Sequence, residues 1–154
     1  MTIPKNRKSL GQWGEENVDQ WMKGVNYSAI LKNHRFPGGE LDRVYHNPED
    51  KTLCVAEIKC LTQNPRYSLS LYLGDAILPL LVRKKQKKNL MLAGNQLLRT
   101  FPEHQIYLRY FVVIKSPKGY LTETHSETLL FGGKILQITE DYLLLSFNPI
   151  DSIF

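Results

Sequence analysis

Gly38-Gly39-Glu40-Leu41-Asp42, followed after a polar turn by Leu53-Cys54-Val55-Ala56-Glu57-Ile58-Lys59, decides the fold. It reads as a glycine turn, a strand, the turn Asn47-Pro48-Glu49-Asp50-Lys51, and a second strand ending in an acid and a base two residues apart. Side chains alternate faces along a strand, so Glu57 and Lys59 share a face about 7 Å apart, with Leu53 and Val55. Cys54, Ala56, Ile58 and Cys60 take the other face. Pairing of Arg43-Val44-Tyr45-His46 with Thr52-Leu53-Cys54-Val55 lays the start of one strand beside the end of the other. Asp42 then falls next to Glu57 and Lys59.

Two carboxylates brought together repel unless a cation lies between them. A small set of hard oxygen ligands suits Mg²⁺, which keeps several waters and binds through one or two carboxylates plus a substrate phosphate. A lysine alongside can orient or deprotonate a water, or offset charge on the phosphate. For Glu57 and Lys59 alone, an ordinary surface salt bridge is the favoured reading. Asp42, with the Gly-Gly-Glu turn before it, tips the balance toward a metal site.

Gly39-Glu40-Leu41-Asp42 with Val55-Ala56-Glu57-Ile58-Lys59 resembles the core of the PD-(D/E)XK nuclease superfamily. Within that superfamily the chain is most similar to the YraN-like, endonuclease-related family of small bacterial proteins, which in turn resembles archaeal Holliday-junction resolvases. Three more stretches fit in order: Gly11-Gln12-Trp13-Gly14-Glu15, Asn33-His34-Arg35, and Lys85-Gln86-Lys87-Lys88 with Ala93 and Leu97 beyond. The resemblance covers about residues 9 to 114. It implies an α/β fold of the restriction-endonuclease-like kind, a central mixed sheet flanked by helices. It implies a DNA endonuclease dependent on Mg²⁺ or Mn²⁺. Asp42 and Glu57 hold the ion with the main-chain carbonyl of Ile58, Glu15 completes the shell, and Lys59 positions the attacking water. Arg35, Gly39, Glu40, Lys85, Gln86 and Lys88 fall to nucleic-acid contact. Analogy with resolvases extends this to branched or damaged DNA and to a homodimer. The alternative is a non-catalytic nucleic-acid-binding protein or partner subunit that keeps the nuclease fold.

At 154 residues with 42% apolar content, the chain has the size of one domain and too much apolar character for disorder. Its formal charge of +5 suits a polyanionic partner without requiring one. No apolar run reaches the ~18 residues of a membrane span, so no membrane role is expected. Residues 1–8 read as a basic arm that leads into no secretory signal core, and residues 9–154 as a single nuclease-like domain. Cys54 and Cys60 share one strand, cannot bridge, and read as reduced residues of a cytoplasmic protein.

Ser9 and Gln12 form a capping-box pattern that predicts a helix from about Leu10, ending at Gly24. Glu15 on that helix reads equally well as a charge favoured near the N-terminus. Tyr27–Asn33 is the first predicted strand and Phe36-Pro37-Gly38-Gly39 the turn after it. His34 and Arg35 either meet phosphate or are simply solvated. A long helix is predicted from Ala76 to Arg99, with Pro79 in its first turn or at a kink. Its basic residues 83–88 spread around the helix and cannot all face one ligand. Tyr107–Ile114, continuously apolar, predicts a central strand buried on both faces. Residues 120–154 form an extension beyond the resemblance, with strands at Tyr120–Thr122, Ile135–Ile138 and Tyr142–Phe147. Arg43 departs from the family, which has an apolar residue after the aspartate, and so predicts an incompletely buried strand face.

Overall fold

The computed structural model describes residues 7–62, 84–115 and 134–147, with side chains from Leu10 and Lys85 onward in the two helices. The elements are α1 (Arg7–Gly24), β1 (Ser28–Phe36), β2 (Gly39–Asn47), β3 (Thr52–Thr62), α2 (Lys84–Thr100), β4 (Gln105–Lys115), β5 (Lys134–Ile138) and β6 (Tyr142–Phe147). The six strands form one mixed sheet in the order β1-β2-β3-β4-β6-β5. Only β3 and β4 run parallel, with Glu57 beside Tyr110 and Lys59 beside Val112. The predicted α/β class and mixed sheet hold, and the architecture is consistent with a restriction-endonuclease-like fold. The arm before Arg7, the helix stretch before Lys84 with Pro79, and the strand at residues 120–122 lie outside the described residues.

Each helix covers one face of the sheet. On the α1 face, Trp13, Val18 and Met22 pack with Tyr45, Cys54, Ala56, Ile58, Phe111, Val113 and Leu144. On the α2 face, Leu90 and Ala93 pack with Val44, Leu53, Val55, Tyr110, Val112, Leu143 and Leu145. The alternation read along β3 therefore sorts its residues onto two separate cores. β4 is buried on both faces from Tyr110 to Ile114, as its apolar run predicts.

Local chemistry explains where the elements stop. α1 begins at Arg7 rather than Leu10, so two residues of the predicted arm are helical. Its end is not set by Gly24. Asn26 takes the left-handed conformation (φ 71°), and Tyr27 N–H bonds Met22 O at 2.9 Å while Asn26 N–H bonds Lys23 O at 3.2 Å. That is the double-bonded cap in which asparagine substitutes for glycine. β1 runs past Asn33 to Phe36, and Asn33 accommodates this with a positive φ of 48° inside the strand. Pro37 and Gly38 (φ 102°) then make the hairpin turn, where only glycine adopts the second conformation without strain. Gly14 lets α1 sit close to β3: a Cβ there would meet the Cβ and Sγ of Cys60 at 2.9 Å.

At the opposite end of β2, Asn47 Oδ1 accepts from the N–H groups of Glu49 and Asp50, shaping the turn into β3. His46 and His104 meet through Nε2 at 3.1 Å where the chain enters β4. No described helix is long and apolar enough to cross a membrane.

Candidate metal and nucleic-acid site

The site forms where β2 and β3 separate. Regular pairing runs from Asn47↔Thr52 to Arg43↔Ala56. One step further, Asp42 turns its carboxylate onto the β3 backbone, where Oδ2 accepts the Ile58 N–H at 2.8 Å. Asp42 thus occupies the position of a ladder carbonyl, which fixes it against the strand that carries Glu57 and Lys59.

Glu57 is 8% exposed on the α2 face. Burial, first, and the Asp42 carboxylate, second, push its pKa up to about 8, while the Lys59 ammonium works in the opposite direction. Protonation of Glu57 relieves its repulsion with Asp42 and lets the two side chains share a hydrogen bond. The structure therefore brings Asp42, Glu57 and Lys59 within electrostatic reach of one another, on the elements the sequence assigned to them.

Glu15 approaches from the α1 side of the sheet. Its Oε2 lies 3.5 Å from Arg43 Nη2. Its pKa is raised chiefly by burial, with Arg43 pulling it down and Asp42 and Asp19 adding to the rise. Arg43 also donates from Nη1 to the Asp42 carbonyl at 2.9 Å, so one guanidinium ties Glu15 to the Asp42 backbone. Among the described residues no cluster of three or more His, Cys, Asp or Glu side chains is already arranged to hold a metal.

The expectation for Arg43 needs correction. It is 4% exposed, on a face that is fully covered. Asp19 explains this: its carboxylate accepts Arg43 Nε at 3.0 Å, Arg43 Nη2 at 3.3 Å and the Tyr45 hydroxyl at 2.6 Å. Burial and the Asp19 bond together hold the Tyr45 hydroxyl far above the usual phenol range. Sequence reading passed over Asp19, yet the signal was present, since Glu15 and Asp19 are four apart and share a helix face.

The residues assigned to nucleic-acid contact divide. Arg35 and Glu40 are exposed and face each other across the hairpin at 3.8 Å. Gly39 lies beneath Asn89 of α2, whose side-chain oxygen a Cβ would meet at 2.8 Å. Lys85 and Lys88 point to solvent. Gln86 turns inward and accepts a hydrogen bond from the hydroxyl of Tyr110. Tyr110, fully buried and next to Glu57 in the sheet, was not singled out by the sequence. It links α2 to the strand bearing the acid, and its place became visible only with the parallel β3–β4 register.

No family model matches the chain. It is similar to proteins named UPF0102 protein. One from Dehalococcoides mccartyi is 43% identical over 44 residues, 29% of this chain and 36% of that protein. One from Treponema denticola is 24% identical over 120 residues, 75% of this chain and 86% of that protein. One from Treponema pallidum is 29% identical over 86 residues, 56% of this chain and 60% of that protein. The similarity is thus of low identity where it is long, and it is to proteins whose shared name is a family designation, consistent with the YraN-like resemblance.

Proposed function

We propose that the protein is a metal-dependent phosphodiesterase acting on DNA, of the YraN-like kind within the PD-(D/E)XK superfamily. The observation that carries this is Asp42 pinned to the Ile58 N–H of β3, which holds its carboxylate within electrostatic reach of Glu57 and Lys59. A glutamate pushed up to about 8 by burial first and a neighbouring carboxylate second is a site short of positive charge. Two hard oxygen donors in that state fit Mg²⁺ or Mn²⁺. Asp42 and Glu57 would hold the ion with the carbonyl of Ile58, and Glu15 would join directly or through water. Such an ion, when bound, acidifies a water and offsets charge on a phosphate. Lys59, held on the same strand face, orients the attacking water and stabilises the negative charge that develops on the phosphate. The Asp42–Ile58 bond keeps the acid from rotating away, and Arg43 holds the Asp42 backbone from behind. Lys85, Lys88 and Arg35, all exposed, supply backbone phosphate contacts whose binding weakens with salt. Two free cysteines suit a reducing, cytoplasmic setting.

The test is incubation with Mg²⁺ or Mn²⁺ and a panel of linear, flapped and four-way DNA. Cleavage that is lost in Asp42→Ala and Glu57→Gln supports the proposal. Absence of cleavage on every substrate, together with identical metal titrations for wild type and Asp42→Ala, overturns it. A second reading, nucleic-acid binding without turnover, draws on Glu15 being engaged by Arg43 and on the lack of a preformed three-acid cluster among the described residues. It expects salt-dependent gel shifts that persist in Glu57→Ala and need no metal.

A further inference from the structure

The α1 face of the sheet carries a second feature, separate from the acids. Between the last turn of α1 and strand β5 lies a cavity of about 360 Å³. Its floor is β4, where Tyr107, Arg109 and Phe111 alternate onto this face, with Cys54 of β3 alongside. Four aromatic rings line it, those of Trp21, Tyr27, Tyr107 and Phe111. Among the described residues its charge is one-sided: Arg109 and Lys134 contribute, and no acidic residue does.

Neither cation makes an ion pair among the described residues. The one side-chain hydrogen bond of Arg109 among them is from Nη1 to the carbonyl of Leu108, at 3.3 Å. Its guanidinium stands 5.9 Å from the centre of the Tyr107 ring, which leaves most of its donor fork for a ligand. At the helix end nearby, the Met22 and Lys23 carbonyls are taken by the N–H groups of Val25, Asn26 and Tyr27.

We propose that this cavity binds one nucleotide unit, its base held among the aromatic rings and its phosphate on Arg109 and Lys134. Ring stacking is tolerant of base identity, and a guanidinium matches phosphate oxygens two at a time. The volume is that of a small-ligand pocket and suits a single nucleotide rather than a duplex. Neither Asp42 nor Glu57 lines this cavity, and Glu57 lies on the opposite face of β3 from Cys54, so the proposal stands whether or not the protein cuts DNA.

Calorimetric titration with dAMP, deoxyadenosine and inorganic phosphate tests it. dAMP saturates the site, while the nucleoside and the ion each bind at least about tenfold more weakly. Arg109→Gln lowers dAMP affinity about tenfold or more, and Lys134→Ala, an exposed change, lowers it severalfold without altering the melting temperature. A 5′-phosphorylated tetradeoxyadenylate is run beside dAMP. Tighter capture of the oligonucleotide assigns the pocket to a strand end and equal capture to the free nucleotide, and either supports the site. No saturable dAMP binding at millimolar concentration, equal affinity for dAMP and deoxyadenosine, or wild-type affinity in both variants overturns it.

Discussion

Glu57 is folded into a place that disfavours its own charge, and this sets a direction for stability against pH. A carboxyl whose pKa is raised on folding stabilises the native state at low pH and loses that contribution as the pH climbs to its folded value. The window runs from the ordinary carboxylate range to about 8. Without divalent ions, thermal melts of the wild type should fall across this window, and Glu57→Gln should melt several degrees higher than wild type at pH 8.5 but not at pH 5. Arg43 presents the converse case. Replacing it with Met leaves Glu15 without its cation and Asp19 with only the exposed Lys32 cation at 3.7 Å, at a cost of about 3 kcal/mol read from urea unfolding. Burial of the thiols pushes both Cys54 and Cys60 up to about 12, so neither should react with a disulfide reagent at pH 8 until the protein is unfolded. Asp42, Glu57 and Lys59 were legible because strand alternation and one hairpin fix their relation. Arg43 was not, because its burial depends on Asp19, a helix residue 24 positions away.

At the scale of elements, α1 is held against the sheet by the absence of a side chain. Gly14→Ala places a methyl group 2.9 Å from the Cβ and Sγ of Cys60 and 3.7 Å from the Cβ of Val113, and a Cβ is fixed by its strand, so relief needs α1 or the strand to shift. The expected loss is about 1–3 kcal/mol in chemical unfolding, with α1 lifted and Glu15 carried away from Asp42. Breakers and apolar periodicity located the helices and the turn at Pro37-Gly38 well. They placed the end of α1 at Gly24 correctly but began it three residues late, and they stopped β1 at Asn33: an asparagine reads as a turn residue, yet Asn26 caps a helix and Asn33 continues a strand, both at positive φ. Local sequence does not distinguish these uses, since the conformation is selected by what pairs next to it.

For the whole molecule, the decisive contact joins segments that are remote in sequence. β3 and β4 pair in parallel from Thr52↔Gln105 to Thr62↔Lys115, and every other strand adds to that pair. Amide hydrogen exchange should be slowest in β3 and in residues 110–114 of β4, and fastest in β1 and β5. The two outermost strands share one irregularity: β1 carries an extra residue at Ile30, and β5 at Leu136. Such kinks spoil the straight row of amides that a neighbouring chain needs for templated growth. Self-association by annealing rim to rim along the described sheet, or into fibrils, is accordingly discouraged from both sides.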